Sequence, residues 1–130
     1  MDKEGIFQIT EQRSRERFEY KYDVLCFKNT EEIEGKESKS PIRIHVIDIS
    51  YLGLGVITSK SLTVGSYLLF NLNNRDENRE MMLEVRWVKM KQGEHHAGLS
   101  FVALTKEDIM FLHEIIFEIK KEHKKSQKLL

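Results

Sequence analysis

Among 130 residues the chain has one cysteine, one proline and one tryptophan, and it has no net charge, with 21 Lys+Arg balancing 21 Asp+Glu. A lone Cys26 cannot close an internal disulfide, so a reducing, cytoplasmic setting is expected. No apolar run approaches a membrane span, and the opening MDKEGIFQIT lacks the apolar core of a signal peptide. Membrane insertion is therefore not expected. Zero net charge excludes the bulk electrostatic footprint of a general nucleic-acid or membrane-surface binder. Local footprints remain open, because 32% of the residues are charged and they are segregated. The arginines gather at 13–17, four acids face two lysines over 29–40, and five lysines face one acid over 120–130. The length suits one domain with a true core, and no separate output domain is expected.

The hydrophobic pattern divides the chain. Residues 1–17 are polar and without period, and read as a flexible N-terminal arm. Phe18, Tyr20, Tyr22, Val24 and Cys26 then alternate, with Glu19, Lys21 and Asp23 on the other side, the period of a strand with one buried face. A polar, acidic connection covers 29–40, and Pro41 stands where a strand tolerates proline, at its first residue. Five more short strands are predicted around Ile42–Ile49, Leu54–Thr58, Tyr67–Leu72, Leu83–Trp87 and Ala97–Phe101. Trp87 alternates with its neighbours as a core residue would. Six strands with turns and no interleaved helices predict an antiparallel barrel or sandwich.

From Thr105 the period changes. Thr105-Lys106-Glu107-Asp108 is a variant capping box, with Leu104 and Ile109 as its hydrophobic staple. Ile109, Leu112, Ile115, Ile116 and Ile119 form one face of a helix over 105–125, leaving 126–130 as a tail. Acids open this helix and lysines end it, in keeping with its dipole. Met110, Phe117 and Phe111 fall off the main stripe. Either the helix lies in a two-walled groove, or it offers a surface to a second copy or a partner.

Two elements could carry recognition chemistry. Arg13 and Arg17 offer planar forks suited to phosphate oxygens and to the Hoogsteen edge of guanine. Alone they also fit a solvated linker, since Glu11, Glu16 and Glu19 lie close by. Asp48 and Ser50 stand two apart at a strand end, pointing to one side in extended geometry. Asp48 could accept from the N1–H and exocyclic amine of guanine, while Ser50 could donate to a phosphate or cap a backbone amide. Gly53 permits close approach to the backbone. Taken in isolation, this segment also fits a simple Asx/Ser turn.

The order and spacing of the two elements, Arg13-x-x-x-Arg17 followed by Asp48-x-Ser50-x-x-Gly53, resembles the signature of PilZ domains. Glu84-Val85-Arg86-Trp87-Val88 and Ala97-Gly98-Leu99-Ser100-Phe101 look like that family's late strand pair, and the resemblance covers about residues 11 to 120. It implies a six-stranded barrel over 18–104 with a C-terminal helix, binding the bacterial second messenger cyclic di-GMP. By that resemblance Arg13 and Arg17 contact guanine and phosphate, Asp48 holds a guanine edge, Ser50 supports the phosphate side and Gly53 keeps the turn open. The residue before the first arginine bears on whether one ligand or a stacked pair binds; Gln12 is neither bulky and apolar nor an arginine, and leaves both open. Charge-assisted hydrogen bonds contribute about 1.5–3 kcal/mol each, so loss of a signature arginine should weaken binding by one to a few powers of ten.

Other features point to no second chemistry. His95-His96 reads as an exposed pair at a hairpin edge, and His113 and His123 do not share a metal-binding face, so no metal and no cofactor other than the ligand is expected. Cys26 fits a buried strand position. Gly53-Leu54-Gly55 is followed by no helix and is not a dinucleotide fingerprint. No acid–base or nucleophile–base arrangement stands out, so catalysis is not expected. The expected output is ligand-dependent binding to a protein partner, for example in motility, biofilm or secretion machinery, with a homodimer through the C-terminal helix as a further possibility. The alternatives are an adaptor of the same fold that does not bind cyclic di-GMP and, more distantly, a small barrel for single-stranded nucleic acid. The latter needs exposed aromatics interleaved with basic residues, which the strands do not show.

Overall fold

The computed structural model describes residues 16–29 and 42–129. Alternation builds its sheet: Ile42, Ile44 and Val46 point inward and are buried, while Arg43 and His45 between them are exposed. The strands are β1 (Phe18–Asn29), β2 (Ile42–Ile49), β3 (Gly53–Thr58), β4 (Tyr67–Asn74), β5 (Glu77–Lys91) and β6 (Glu94–Val102), followed by one helix, α1 (Lys106–Leu129). Around the ring the order is β1-β2-β3-β6-β5-β4, all neighbours are antiparallel, and β4 pairs back to β1 to close a barrel. Among the described residues that closing seam has three residue pairs, Phe27 with Leu69, Lys28 with Leu68 and Asn29 with Tyr67. The neighbouring β4–β5 ladder has eight. Gln92 and Gly93 join β5 to β6 with φ of 49° and 80°, the two-residue turn whose twist matches an antiparallel pair.

Ile44, Ile49, Leu54, Leu68, Phe70, Leu72 and Leu83 fill the interior with no exposed surface. Besides a register shift in β1 between Glu19 and Tyr22, shifts at Ile47 in β2 and at Arg86 in β5 interrupt the alternation. A bulge inserts one residue and turns everything beyond it to the other face. This corrects the expectation for Trp87. Two residues from the buried Val85, it should face the core, but the bulge at Arg86 turns it outward and leaves it 49% exposed.

The helix starts as its sequence predicts: the Asp108 amide donates to the Thr105 hydroxyl at 3.1 Å, and the Thr105 amide donates to the Asp108 carboxylate at 2.9 Å. Arg79 of β5 joins this cap, its Nε 2.9 Å from Asp108 Oδ1. Partial burial pushes the Asp108 carboxyl up, but the Thr105 amide and hydroxyl and the Arg79 guanidinium outweigh it and hold the group below its ordinary 3.8. Phe111, Leu112, Ile115 and Ile116 are buried in the core, and α1 packs along β1 and β4. Phe111 thus extends the buried stripe, whereas Met110 and Phe117 remain 51% and 55% exposed. Farther along, Arg75 reaches Glu118 at 2.9 Å and ties the β4–β5 turn to the helix. Arg13, Gln12, the rest of the arm before Glu16 and most of the acidic connection lie outside the described residues, as does the side chain of Cys26.

Candidate functional site

The strand registers assemble one transverse row on the outer face of the barrel. Asp48 of β2 pairs with Gly55 of β3, Gly55 with Gly98 of β6, and Gly98 with Trp87 of β5. Three inter-strand spacings put about 14 Å between the ends of this row. The two glycines make its floor, and each leaves room for the side chain that lies on it. A Cβ on Gly55 would run into the Asp48 carboxylate, and one on Gly98 would run into the Trp87 indole. Leu54 and Leu99, next to the glycines, point inward and are buried, so the floor itself faces out. A flat aromatic ring stands at one end and a carboxylate at the other.

The bulge at Ile47 gives Asp48 this outward aim, because uninterrupted alternation from Val46 would bury it. Arg17, just before β1, reaches Asp48 with Nε 2.8 Å and a terminal guanidinium nitrogen 2.7 Å from the same carboxylate oxygen. With the two side chains 43% and 29% exposed, this pair contributes little to stability and stays open to an incoming ligand. Both members have groups a bound nucleotide could use.

Ser50 lies just past the end of β2, so the same-side geometry of an extended strand does not govern it. It is fully buried, and its hydroxyl accepts the amides of Leu52 at 3.1 Å and Gly53 at 3.3 Å. The Ser50 amide in turn donates to the Gly53 carbonyl at 2.9 Å. A Cβ on Gly53 would collide with the Leu99 carbonyl, so only glycine lets this turn press against β6. The buried Tyr51 extends from the same turn to α1, its hydroxyl 2.7 Å from His113 Nδ1.

Of the residues singled out from sequence, Arg17, Asp48, Ser50 and Gly53 therefore meet around one turn, while Arg13 lies outside the described residues. Gly55, Gly98 and Trp87 were missed as site residues. The available signal was the pair of segments containing Trp87 and Gly98, whose facing depends on a bulge that periodicity does not reveal. The expectation of exposed edge histidines is also corrected. A barrel has no free edge there: β6 is flanked by β3 and β5, so His95 and His96 are half-buried and His95 Nδ1 is buried without a partner. Among the described residues no group of three or more His, Cys, Asp or Glu could hold a metal ion, and no helix is long and apolar enough to cross a membrane.

A model of the PilZ domain family matches residues 11–118 of the chain. Among solved structures, the PilZ domain with c-di-GMP of YcgR from Escherichia coli shares the fold with a TM-score of 0.65 at 14% identity, over 88% of this chain and 95% of that one. The crystal structure of YcgR in complex with c-di-GMP, also from Escherichia coli, gives a TM-score of 0.67 at 16% identity over 88% of this chain. This chain covers 49% of that longer one. No curated protein matches the sequence.

Proposed function

The chain belongs to the PilZ domain family, and on that premise we propose that it is a receptor for cyclic di-GMP, bound on the outer barrel face over the Gly55–Gly98 floor. The observation that carries this reading is the exposed Arg17–Asp48 pair at the edge of that floor. In the free protein each group holds the other in place. A guanine offers Asp48 two donors, N1–H and the exocyclic amine, and a phosphate offers Arg17 a bidentate acceptor. One exposed ion pair is thereby exchanged for two charge-assisted contacts.

The remaining residues support these two. Ser50 serves the site through the turn it closes, and Gly53 lets that turn sit against β6. Trp87 presents its exposed ring at the far end of the row, where a base can stack. Arg13, four residues before Arg17, would add a second guanidinium as the arm orders over the ligand. The output of the receptor is that rearrangement, read by a protein partner, with no chemistry performed on the ligand.

Calorimetric titration of the full chain with cyclic di-GMP, beside a short single-stranded oligonucleotide, tests the proposal. Saturable heat with the dinucleotide alone is expected, and it should weaken in Arg13→Ala and Asp48→Ala. No heat with the wild-type chain, or equal affinity in both variants, would overturn the reading and favour an adaptor that binds only protein.

A further inference from the structure

The second half of α1 carries a cluster of charge that the fold does not use. Phe117, Lys120, Lys121 and Lys124 stand at i, i+3, i+4 and i+7 and share one helical face. Like charges at this spacing repel, and among the described residues none of the three lysines has an ion-pair partner. The helix dipole favours cations only in the last turn, whereas Lys120 and Lys121 stand about two turns before the end at Leu129. Both ammonium groups lie against aromatic rings instead. That of Lys120 is 5.5 Å from the ring centre of Phe18, and that of Lys121 is 6.0 Å from the ring centre of Phe117.

These side chains form one wall of a groove of about 1070 Å³ between α1, the start of β1 and the turn after Ser50. Small-molecule pockets run to about 300–1,000 Å³, so this volume suits a length of chain. Its base is apolar, made by the buried Tyr51 and Ile116, and the half-buried Phe18 and Ile119 extend that surface to the exposed Phe117. Carboxylates stand across from the lysines, at Glu16 and Glu19. Glu19 is held by Lys21 at 3.3 Å, and Glu118, next to Phe117 on the helix, is held by Arg75 at 2.9 Å. The helix wall is thus cationic, the base apolar and the far rim acidic.

We propose that this groove takes a segment of a partner protein that carries an apolar anchor flanked by carboxylates. The anchor seats against Phe18 and Phe117, and the carboxylates meet Lys120, Lys121 and Lys124. Other occupants fit worse. A second copy offering the same groove cannot fill it, since two concave surfaces leave a void between them. A nucleic acid is anionic along its whole length and meets Glu16 and Glu19 at the far rim. A flat bilayer leaves the recessed Tyr51 and Ile116 uncovered. Peptide docking gives the partner of the receptor reading its chemistry, but it requires no cyclic di-GMP, so the two stand or fall separately.

The test is fluorescence anisotropy of the full chain, without cyclic di-GMP, using a fluorescein-labelled peptide with a central Leu-Phe pair between runs of Asp and Glu. Saturable binding is expected. Phe117→Ser should weaken it about ten-fold and leave denaturant unfolding unchanged, because that ring is exposed. The same peptide with Ser-Gly at its centre should lose a similar factor. Lys120→Gln with Lys124→Gln should flatten the dependence of affinity on salt. Absence of saturable binding overturns the docking. So does equal affinity for the Ser-Gly peptide or in Phe117→Ser, which leaves a merely charged surface. Equal displacement by oligothymidylate or by phosphatidylserine vesicles overturns it in favour of a polyanion or a membrane. A dimer in sedimentation that Phe117→Ser makes monomeric overturns it in favour of a second copy. A chain that binds the peptide but no cyclic di-GMP keeps the groove and loses the receptor reading; one that binds cyclic di-GMP but no peptide does the reverse.

Discussion

Helix α1 covers the barrel along β1 and β4, where it buries Phe111, Leu112, Ile115 and Ile116 and is tied down by Arg79 at its start and Arg75 farther along. The flank made by β2, β3, β6 and β5 is treated in the opposite way. Glycine stands at two positions of its central row, and the side chains over them, Asp48 and Trp87, remain partly or largely in contact with water. One flank uses apolar area to hold the fold, and the other gives up side-chain packing to keep a flat surface with two polar or aromatic ends. Stability and recognition should therefore respond to different substitutions.

The largest effect is expected on the covered flank. Leu112→Ala removes a fully buried side chain and should cost about 2–5 kcal/mol in denaturant unfolding, with unchanged cyclic di-GMP affinity wherever the protein is still folded. Loss of affinity in step with stability would abolish the division between the flanks. Asp48→Ala should behave in reverse: ligand affinity falls by about one to two powers of ten, while unfolding shifts by less than about 1 kcal/mol. Trp87→Ala sharpens the contrast at the other end of the row. A lost stacking contact corresponds to about 1–3 kcal/mol of binding, and the exposed indole gives the fold little; equal affinity in calorimetry would remove Trp87 from the site.

The smallest effect concerns the helix cap. Asp108 titrates below its ordinary 3.8 in the folded chain, so its contribution is complete above that value and is lost as pH falls through the lower, folded one. Asp108→Asn should flatten the acid limb of a stability–pH curve and leave the neutral region with the same slope. Tyr20 shifts the other way: burial, followed by the neighbouring Tyr22, pushes it up to about 12. Its contribution is complete below pH 10 and fades toward 12, and one tyrosine in an ultraviolet titration should ionise late.

Strand alternation and the Thr105–Asp108 cap were legible in the sequence because both depend on neighbours a few residues away. That Arg17 and Asp48 belong to one site was expected only from the joint spacing of the two signature elements, and their direct ion pair, between residues 31 apart, was not legible. What could not be read was set by the bulges. Nothing in Asp48's immediate surroundings marks Ile47 as an extra residue, and a strand read at period two puts Trp87 with Val85 in the core. Gly55 and Gly98 become a floor only once β3 and β6 are neighbours, a long-range pairing that local composition does not encode.

The seam between β1 and β4, three pairs among the described residues, has a consequence for where the cylinder should open. Around the ring it lies opposite the β3–β6 junction that contains Gly55 and Gly98. Sub-global opening draws on the least-supported ladder, so the β4 amide hydrogens that face β1 should exchange with deuterated solvent well before those of β3 and β6. Parting there turns a closed tube into a curved sheet without disturbing the strands that carry the outer row. The barrel should then act as a cuff with its clasp at the back, changing girth there while the panel proposed to meet the ligand keeps its shape.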